Sequence, residues 1–488
     1  MIELAGCDPL TPEYPELLRN CLRAVEHDSA GGLYVAGGAV RDWLLGASPR
    51  DLDLTLPVDA VETAKKFART LGGTFVLLDA EEDVARVVWQ GYCIDFSGFR
   101  NRCATIEEDL CQRDFTINAL AVRFVSGGPG LAPSLVIDPT GGLDDLRAGC
   151  IRTPSTRVLL ADPLRLLRAY RFMAALGFVI EEKTLAAIRT NSAKVLKAAA
   201  ERISYELGLI MATPRASSCF AAMGDTGLLR AIFPELEAGQ GLVQPPSHHL
   251  DVFFHNLEAL SCMEKLLLNP EEHFPGQGRI FTDYIDAARN RSLLKWASLF
   301  HDVGKPAAQE IVGERITFYN HDRAGTEIFS QIVERLRWPR EDRCRTGRLI
   351  ALHMWPFHLS NTRLKTGITR KACLRLVKAI EDDLPGLFLL AMADSLAGQG
   401  PLKPADMEKN LADLFSEVNG VYEEHIRPVI SMPPLLSGHD LIKEFALEPG
   451  PVFREIIEGL ERAQVEGEVS GRRQAVDWVR RFLAGIDH

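Results

Sequence analysis

Residues 34–56, YVAGGAVRDWLLGASPRDLDLTL, decide the fold of the N-terminal part of this chain. A short apolar run ends at Gly37 and Gly38, and residues with helical character follow. Glycines at such a junction let the backbone approach a ligand, and N–H groups at a helix start can bind phosphate. Arg41 is placed to add a charge-assisted contact to a triphosphate. The segment therefore predicts a strand, a phosphate-binding turn and a helix.

Two aspartates one residue apart, Asp51 and Asp53, close the same segment in a second predicted strand. Alternation along a strand places both carboxylates on one face. Neighbouring carboxylates repel each other unless a cation lies between them, and Mg²⁺ prefers oxygen ligands while keeping waters and phosphates. Two such ions can activate an attacking hydroxyl and neutralise a leaving pyrophosphate. Either piece alone is better interpreted as a plain turn or a solvated strand edge, but together, in this order and spacing, they favour a nucleotide site.

The composition is that of a globular chain of about three domains, with 488 residues, 46% hydrophobic and 25% charged. No long uncharged apolar run is present, and the ten cysteines form no CxxC pair. We therefore expect a reduced, cytoplasmic protein with no membrane partner. The net charge of −11 argues mildly against nucleic-acid binding, although local clusters of arginine matter more than the sum.

The pattern changes from mixed to helical near residue 150. Short β-rich runs alternate with helical segments over 31–150, and helical periodicity dominates from about residue 155. Gly/Pro-rich breaks follow at 239–249 and 398–404. This predicts an α+β N-terminal domain followed by mostly α-helical domains. The expected boundaries are 1–150, 151–240, 241–400 and 401–488.

Five motifs in a fixed order resemble a known family. They are GGAVRD with DLD (37–42 and 51–53), QRDFTINAL (112–120), DPTGGLDDLRAG (138–149), ADPLRLLRAYRF (161–172) and ERISYEL (201–207). The first resembles the signature of nucleotidyltransferases related to DNA polymerase β. The set as a whole resembles the bacterial class II tRNA nucleotidyltransferases, or CCA-adding enzymes, and the related bacterial poly(A) polymerases.

The resemblance implies a DNA polymerase β-like head, a helical neck and body, an HD domain and a helical tail. It implies template-independent addition of CMP and AMP, from CTP and ATP, to the 3′ end of tRNA, with Mg²⁺ at the transferase site. Full CCA addition, CC only, A only and poly(A) synthesis are all open. The acidic chain lacks the basic tail usual in bacterial poly(A) polymerases, which favours tRNA. Gln112 and Ala161 depart from the commoner Arg and acidic residue, and they bear on fine substrate preference.

The fourth motif predicts a nucleotide-reading helix. Asp162, Arg165, Arg168 and Arg171 recur at spacings of three, which predicts one helix face. By resemblance, Asp162 and Arg165 read the base, since a carboxylate accepts from the exocyclic amine of C or A and repels the carbonyl of U or G. Arg168 and Arg171 would hold the triphosphate or brace the helix. Taken alone, the pattern is better explained by an ordinary helix with an exposed basic stripe.

The second motif and a nearby strand add further candidates. By resemblance, Arg113, Asp114 and Asn118 contact the phosphate and ribose of the nucleotide. Asp114 could also serve as a helix N-cap. Asp95, in the alternating segment YCIDFSGF, is a candidate third catalytic carboxylate, although strand aspartates often simply face solvent.

A second set of ligand-type residues lies in the middle of the chain and resembles the H…HD…D core of the HD phosphohydrolases. The set is His255, His301, Asp302 and Asp394. His321 and His353 lie in the same region. Imidazole and carboxylate ligands suit a transition metal, and Mg²⁺ is an alternative; such a metal can activate water against a phosphate ester held by Lys305. Histidines often bind no metal, and the domain could serve only to hold RNA. An HD phosphohydrolase with a vestigial transferase half is therefore an alternative function.

Overall fold

The computed structural model describes residues 2–4, 14–28, 32–124, 135–287, 289–313 and 315–485. The chain folds into two compact units. The first comprises Met1–Arg215 with Cys219–Ile232, and the second comprises Ala216–Ser218 with Phe233–His488. The predicted change from mixed to helical structure is confirmed, whereas the finer division into four domains stays a prediction. Among the described helices, none has the length and apolar character needed to cross a bilayer.

The first unit contains a six-stranded mixed sheet. Its strands are β1 (Leu33–Ala36), β2 (Asp51–Leu56), β3 (Thr74–Asp79), β4 (Val84–Trp89), β5 (Tyr92–Gly98) and β6 (Ala121–Phe124). Their order is β3-β4-β5-β2-β1-β6. β2 and β5 are parallel, and the other neighbours are antiparallel. The two small sheets are β7 (Cys150–Ile151) with β8 (Val179–Ile180), and β9 (Glu310–Val312) with β10 (Arg315–Thr317).

Helices dominate the rest of the described chain. Up to residue 232 they are α1 (Glu16–Asp28), α2 (Gly38–Leu44), α3 (Ala60–Leu71), α4 (Ile106–Leu110), α5 (Gly142–Ala148), α6 (Thr156–Ala161), α7 (Arg165–Leu176), α8 (Glu182–Asn191), α9 (Ala200–Met211), α10 (Ala216–Asp225) and α11 (Leu228–Ile232). They continue with α12 (Pro234–Glu237), α13 (Val252–Leu266), α14 (Gly278–Asp286), α15 (Asn290–Phe300), α16 (Lys305–Ala308), α17 (His321–Arg335), α18 (Arg340–Leu352) and α19 (Trp355–Thr366). The last are α20 (Arg370–Ile380), α21 (Leu384–Ala397), α22 (Met407–Val421), α23 (Arg427–Ser431), α24 (Gly438–Phe445), α25 (Pro451–Glu466) and α26 (Arg472–Ala484).

Alternation along β2 gives the sheet two chemically different faces. Leu52, Leu54 and Leu56 are buried on one face, because side chains two residues apart point the same way. The apolar side of α3 covers this face, where Phe67 meets Phe96 of β5 with ring centroids 5.1 Å apart. Asp51 and Asp53 therefore lie on the opposite face, as predicted.

The second unit is built around α21. This helix, LPGLFLLAMADSLA, is apolar on nearly every side and buried along most of its length, as expected of a helix surrounded by others. It shares one core with α13, α14, α15 and α22. Asp394 is the acidic residue within this apolar sequence, so packing of the helix carries a carboxylate into the interior. The C-terminal helices α24, α25 and α26 have a smaller core of their own.

Candidate active sites

The turn after β1 is shaped by Gly37. Its φ of 76° lies in the left-handed region, which glycine adopts without the steric cost that a side chain brings. A Cβ at this position would lie 2.7 Å from both Asp53 Oδ2 and Arg113 Nη1. The Gly37 N–H donates to Leu120 O at 2.9 Å, and α2 begins at the next residue. The predicted strand, turn and helix are present, and the missing side chain leaves room for Asp53 and Arg113.

The three candidate carboxylates have different environments. Asp53 is bordered by Gly37 and Arg113, and burial raises its pKa while Arg113 acts in the opposite direction. Asp51 lies at the exposed start of β2. Asp95 is the register partner of Asp53 on β5, but its two oxygens accept hydrogen bonds from Arg86 at 2.6 and 2.8 Å. The role of Asp95 as a third catalytic carboxylate stays a prediction.

A cavity of about 340 Å³ opens beside the Gly37 turn. Most of the predicted transferase-site residues line it, and Asp51 and Asp162 are the two that do not. Those that do are Gly37, Gly38, Arg41, Asp53, Asp95, Arg113, Asp114, Asn118, Arg165, Arg168 and Arg171. The fold thus brings residues from β2, α2, α7 and the segment before β6 to one polar cavity with a strong excess of guanidinium groups.

An ion pair and two hydrogen bonds join α7 to α2 across this cavity. Arg168 Nη2 lies 2.8 Å from Asp114 Oδ2, and Asp114 Oδ1 accepts from Asn118 Nδ2 at 3.1 Å. Asn118 Oδ1 in turn accepts from Arg41 Nη1 at 2.6 Å. Burial acts to raise the pKa of Asp114, but Arg168 and Asn118 lower it overall. Asp114 is therefore ionised, and it links Arg168 on α7, through Asn118, to Arg41 on α2.

Two buried acids each hold one further arginine of the cavity. Arg171 Nε lies 2.6 Å from Glu206 Oε2, and Glu206 belongs to the ERISYEL motif on α9. Arg113 Nε donates to Asp109 Oδ2 at 3.2 Å, and its Nη2 donates to Thr55 Oγ1 at 3.1 Å. These contacts fix the direction of each guanidinium, which reduces the conformational entropy lost when an anion binds.

The expectation that Asp162 shares a helix face with the three arginines is wrong. Asp162 lies in the bend between α6 and α7, with φ −130° and ψ 107°, and α7 begins at Arg165. Pro163 explains the break, because the residue before a proline is pushed out of the helical region. Asp162 Oδ2 pairs with Arg202 Nη2 at 2.7 Å, and Arg165 Nη1 donates to Val158 O at 2.7 Å. Base reading by Asp162 and Arg165 stays a prediction.

The two departures from the family pattern lie at the edge of this region. The Gln112 side-chain amide donates to Cys103 Sγ at 2.8 Å and accepts from Asn101 Nδ2. The main-chain carbonyl of Gln112 accepts from Arg165 Nη1 at 3.3 Å. Ala161 is the exposed last residue of α6. Neither side chain lines the cavity.

The four predicted residues of the second site come together in the second unit. The ligand atoms of His255, His301, Asp302 and Asp394 lie within 4.8 Å of one another. His255 Nε2 is 3.0 Å from Asp394 Oδ1, and His301 Nε2 is 3.3 Å from Asp302 Oδ2. The Lys305 ammonium is 2.5 Å from Asp302 Oδ2. The donor set, two imidazoles and two carboxylates in a buried place, fits a divalent metal ion.

The electrostatics of this cluster favour a bound cation. Burial acts to lower the pKa of His301, but Asp302 and Asp394 raise it to about 10. Burial likewise acts to raise the pKa of each carboxyl, and His301 is the main group that brings both well below their usual range. Two buried carboxylates therefore draw positive charge into the site, and a metal ion can supply that charge.

Comparisons with known proteins agree with the geometry. Residues 33–152 match the family described as "Poly A polymerase head domain", and residues 177–239 match the "Probable RNA and SrmB- binding site of polymerase A". The A-adding tRNA nucleotidyltransferase of Deinococcus radiodurans is 34% identical over 461 residues, which cover 92% of this chain and 95% of that protein. The chain belongs to the tRNA nucleotidyltransferase family.

A further member shows the same relationship, and a solved structure shows the same fold. The CC-adding tRNA nucleotidyltransferase of Thermus thermophilus is 33% identical over 91% of this chain and 92% of that protein. A solved CCA-adding enzyme with ATP has the same fold, with a TM-score of 0.63 at 19% identity, over 100% of this chain and 99% of that one. The family inferred from the five motifs and the head-plus-helical fold are confirmed.

One aromatic residue of the cavity was not predicted from the sequence. Phe172 lines the cavity, and the guanidinium carbons of Arg171, Arg41 and Arg168 lie 4.1, 5.2 and 5.8 Å from its ring centroid. Such stacking is favourable and orients the cations. The spacing in the sequence could have indicated this contact, because Phe172 follows Arg168 by four residues and so lies on the same face of the helix.

Arg100 also lines the cavity and was not predicted from the sequence. It donates from Nη1 to buried Asp109 Oδ2 at 2.9 Å, so that Asp109 joins Arg100 to Arg113. No local pattern in FRNR marks this role, because it depends on a partner nine residues away across a turn.

Replacing Phe172 with leucine is expected to raise the KM for the nucleoside triphosphate by about 2- to 30-fold. The substitution keeps an apolar side chain but removes the ring over which three guanidiniums lie, and one such contact contributes about 0.5–2 kcal/mol. Steady-state kinetics with ATP and CTP measure the effect. Phe178→Leu, at another buried phenylalanine of the same unit, is the control for lost packing. Equal KM values in the two variants would contradict the stacking role.

Proposed function

We propose that this protein adds nucleotides from CTP or ATP, without a template, to the 3′ end of tRNA in the cytoplasm. The 3′-hydroxyl oxygen of the RNA bonds to the α-phosphorus, the bond from that phosphorus to the leaving oxygen breaks, pyrophosphate departs, and the hydroxyl loses its proton. The observation that carries the proposal is the arginine-rich cavity that holds Asp53 beside the Gly37 turn.

Asp51 and Asp53 are the proposed holders of Mg²⁺. Their oxygens are the ligands this ion prefers. Desolvation raises the pKa of half-buried Asp53 although Arg113 acts to lower it, and a bound cation would favour the ionised carboxylate further. Over the described part of the chain, the groups of three or more closely spaced metal-ligand residues lie in the second unit and not at Asp51 and Asp53. The two aspartates would therefore supply two ligands, and water and the substrate phosphates would supply the others. When bound, Mg²⁺ activates the hydroxyl and neutralises developing charge on the phosphates.

The chain's own residues supply positioning. Arg41 and Arg168, tied together through Asn118 and Asp114, present guanidiniums to the triphosphate in fixed directions. Preorganised donors of this kind lower the barrier because they need not reorient as charge develops. Asp162 and Arg165 are proposed to read the base, which requires Asp162 to exchange its exposed partner Arg202 for the nucleotide.

The proposal covers full CCA addition, CC only and A only. Relatives named for A addition and for CC addition are 34% and 33% identical to this chain, so identity by itself does not select among the three. The extension assay uses tRNA lacking its 3′ CCA and tRNA ending in CC, with each NTP singly and with CTP and ATP together. Addition that stops after one to three nucleotides supports the proposal, and loss on chelation of Mg²⁺ supports the metal. Open-ended A tracts would show a poly(A) polymerase instead, and phosphoester hydrolysis without incorporation would show a vestigial transferase half.

A second function is favoured by the cluster in the second unit. We propose that His255, His301, Asp302 and Asp394 form the metal site of an HD-type phosphohydrolase, with Mn²⁺ or another transition metal as the expected ion, although Mg²⁺ also fits. Bound there, the metal would activate water toward a phosphate ester. Metal analysis of full-length protein loaded with Mn²⁺ tests this. His301→Ala is expected to lose bound metal, whereas His358→Ala, at an exposed residue of the same cavity, is expected to retain it.

A further inference from the structure

One carboxylate that does not line the cavity beside the Gly37 turn holds two of the arginines that do. Asp109, on the short helix α4, is 0% exposed. Its Oδ1 accepts from Arg100 N at 2.8 Å and from Arg100 Nη1 at 3.1 Å. Its Oδ2 accepts from Arg100 Nη1 at 2.9 Å and from Arg113 Nε at 3.2 Å. Because a carboxylate has about four lone-pair sites, these contacts use the whole accepting capacity of Asp109.

The charges of this group are uneven. Burial acts to raise the pKa of the Asp109 carboxyl, but Arg100 and Arg113 lower it overall, so the carboxyl is ionised. Burial, together with the like charge of Arg100, lowers the pKa of the Arg113 guanidinium, which nevertheless stays protonated, as arginine does in proteins. Two positive charges therefore share one buried negative charge, and a surplus positive charge remains at the cavity.

Arg113 lies close to Asp53 without pairing with it. A Cβ on Gly37 would be 2.7 Å from both Arg113 Nη1 and Asp53 Oδ2, so at most twice that distance separates these two atoms. Asp53 and Arg113, both in the described part of the chain, nevertheless form no ion pair within 4.0 Å, and Arg113 pairs with Asp109. Opposite charges at this separation attract each other strongly where water is partly excluded. Other contacts must therefore hold the guanidinium in place.

Two acceptors anchor the Arg113 guanidinium. Nε donates to Asp109 Oδ2, and Nη2 donates to Thr55 Oγ1 at 3.1 Å. Thr55 is fully buried and follows Asp53 by two residues on β2, so both side chains lie on the same face of the strand. A guanidinium is a rigid planar fork, and turning its two terminal nitrogens to Asp53 would break these anchoring bonds.

We propose that Asp109 is a positioning residue that keeps the Arg113 guanidinium off Asp53, so that the Asp53 carboxylate stays open to a metal ion. The inference rests on the proposed metal role of Asp53 and extends it to a residue outside the cavity. The surplus positive charge of Arg100 and Arg113 is then left for the phosphates of the nucleotide.

Asp109→Asn removes the anchor with little change of shape. The asparagine amide has one acceptor oxygen, and its NH₂ group would face guanidinium donors. Arg113 then lacks the counter-charge at Nε, and Asp53 is the other acid whose charge acts on it. We therefore expect an ion pair between Arg113 and Asp53 that competes with the metal.

The test measures Mn²⁺ binding to the full-length protein by electron paramagnetic resonance. All samples carry His301→Ala, which removes the proposed metal site of the second unit. Asp109→Asn is expected to weaken Mn²⁺ binding about 10-fold or more, because the metal must break a hydrogen-bonded charge pair. The double variant Asp109→Asn, Arg113→Gln has no guanidinium to pair with Asp53. Its Mn²⁺ affinity is expected to return to within about 3-fold of the parent value.

The KM for CTP and a matched control separate this role from a loss of folding stability. The KM is expected to be raised in both the single and the double variant, because one guanidinium of the cavity is displaced in the first and absent in the second. Asp145→Asn is the control, since Asp145 is buried in the same unit, lies 3.0 Å from Arg152 Nε through its Oδ2 and does not line the cavity. We expect it to lower the Tm while Mn²⁺ affinity is retained.

A second variant covers the case in which Asp109→Asn does not fold. Thr55→Val keeps the shape of the side chain but removes the acceptor of Arg113 Nη2, so it should weaken Mn²⁺ binding, and adding Arg113→Gln should restore it. Unchanged Mn²⁺ affinity after loss of either anchor would overturn the inference. Equal weakening in the single and double variants would overturn it too, because it would indicate a purely structural role. A Mn²⁺ stoichiometry that Asp53→Asn does not alter would instead overturn the metal role of Asp53 itself.

Discussion

Replacing Asp53 with asparagine is expected to reduce nucleotide incorporation by about 1,000-fold or more. A metal ion at such a site supplies several kcal/mol of charge stabilisation, and each factor of ten corresponds to about 1.4 kcal/mol. Asparagine keeps the shape of the side chain but not its charge, so contacts with the Gly37 turn and Arg113 are retained. Single-turnover extension of tRNA with saturating Mg²⁺ measures the loss. Asp144→Asn, at an acid whose side chain is 87% exposed on α5, is the control.

Asp53→Asn should also allow a loss of activity to be distinguished from a loss of folding stability. Burial raises the pKa of Asp53, so its ionised form destabilises the metal-free fold at neutral pH. That effect diminishes as the pH falls through the raised pKa and is absent below the pKa of the unfolded chain. A neutral asparagine removes this effect. We therefore expect a metal-free Tm no lower than that of the wild type, and a smaller rise in Tm on adding Mg²⁺. Wild-type rates of extension by Asp53→Asn would refute the assignment.

Replacing Gly37 with alanine is expected to lower incorporation by about 100-fold. The new Cβ would lie 2.7 Å from Asp53 Oδ2 and Arg113 Nη1, so both side chains must shift, and a displacement of about 1 Å at a reacting centre can cost a factor of 100. The backbone φ of 76° adds strain of about 1–2 kcal/mol for any L side chain. Extension kinetics together with thermal unfolding measure the two effects.

Gly46 offers a matched control for the strain alone. Its φ is 81°, and a Cβ there would meet nothing within 4 Å. Gly46→Ala should therefore lose stability through backbone strain while retaining most of its activity. If both variants lost activity equally, general destabilisation would explain the result, and the steric role of Gly37 would be wrong.

The local sequence pattern was sufficient to predict those parts of the site that depend only on neighbouring residues. Alternation in DLDLTL places Asp51 and Asp53 opposite three buried leucines, because strand periodicity is a property of successive residues. The turn at Gly37 follows from its junction between strand and helix. The order of the five motifs identified the family, which the comparisons confirm.

One local signal was present but misread. Spacings of three suggested that Asp162 continues the arginine face of α7, yet Pro163 ends that continuity. The steric effect of a proline on the residue before it acts over one peptide bond, so the sequence contained the correction.

The succession of elements, the two carboxylates on one strand face, the glycine turn and the family could all be predicted from the amino-acid sequence. Which side chains contact one another became known only from the folded chain. Strand register joins Asp95 to Arg86, and folding places Phe172 beneath three guanidiniums. Helix packing brings together His255, His301, Asp302 and Asp394 from distant parts of the chain. The physical reason is that periodicity and turn chemistry act between near neighbours, whereas a contact between distant residues depends on how whole elements pack.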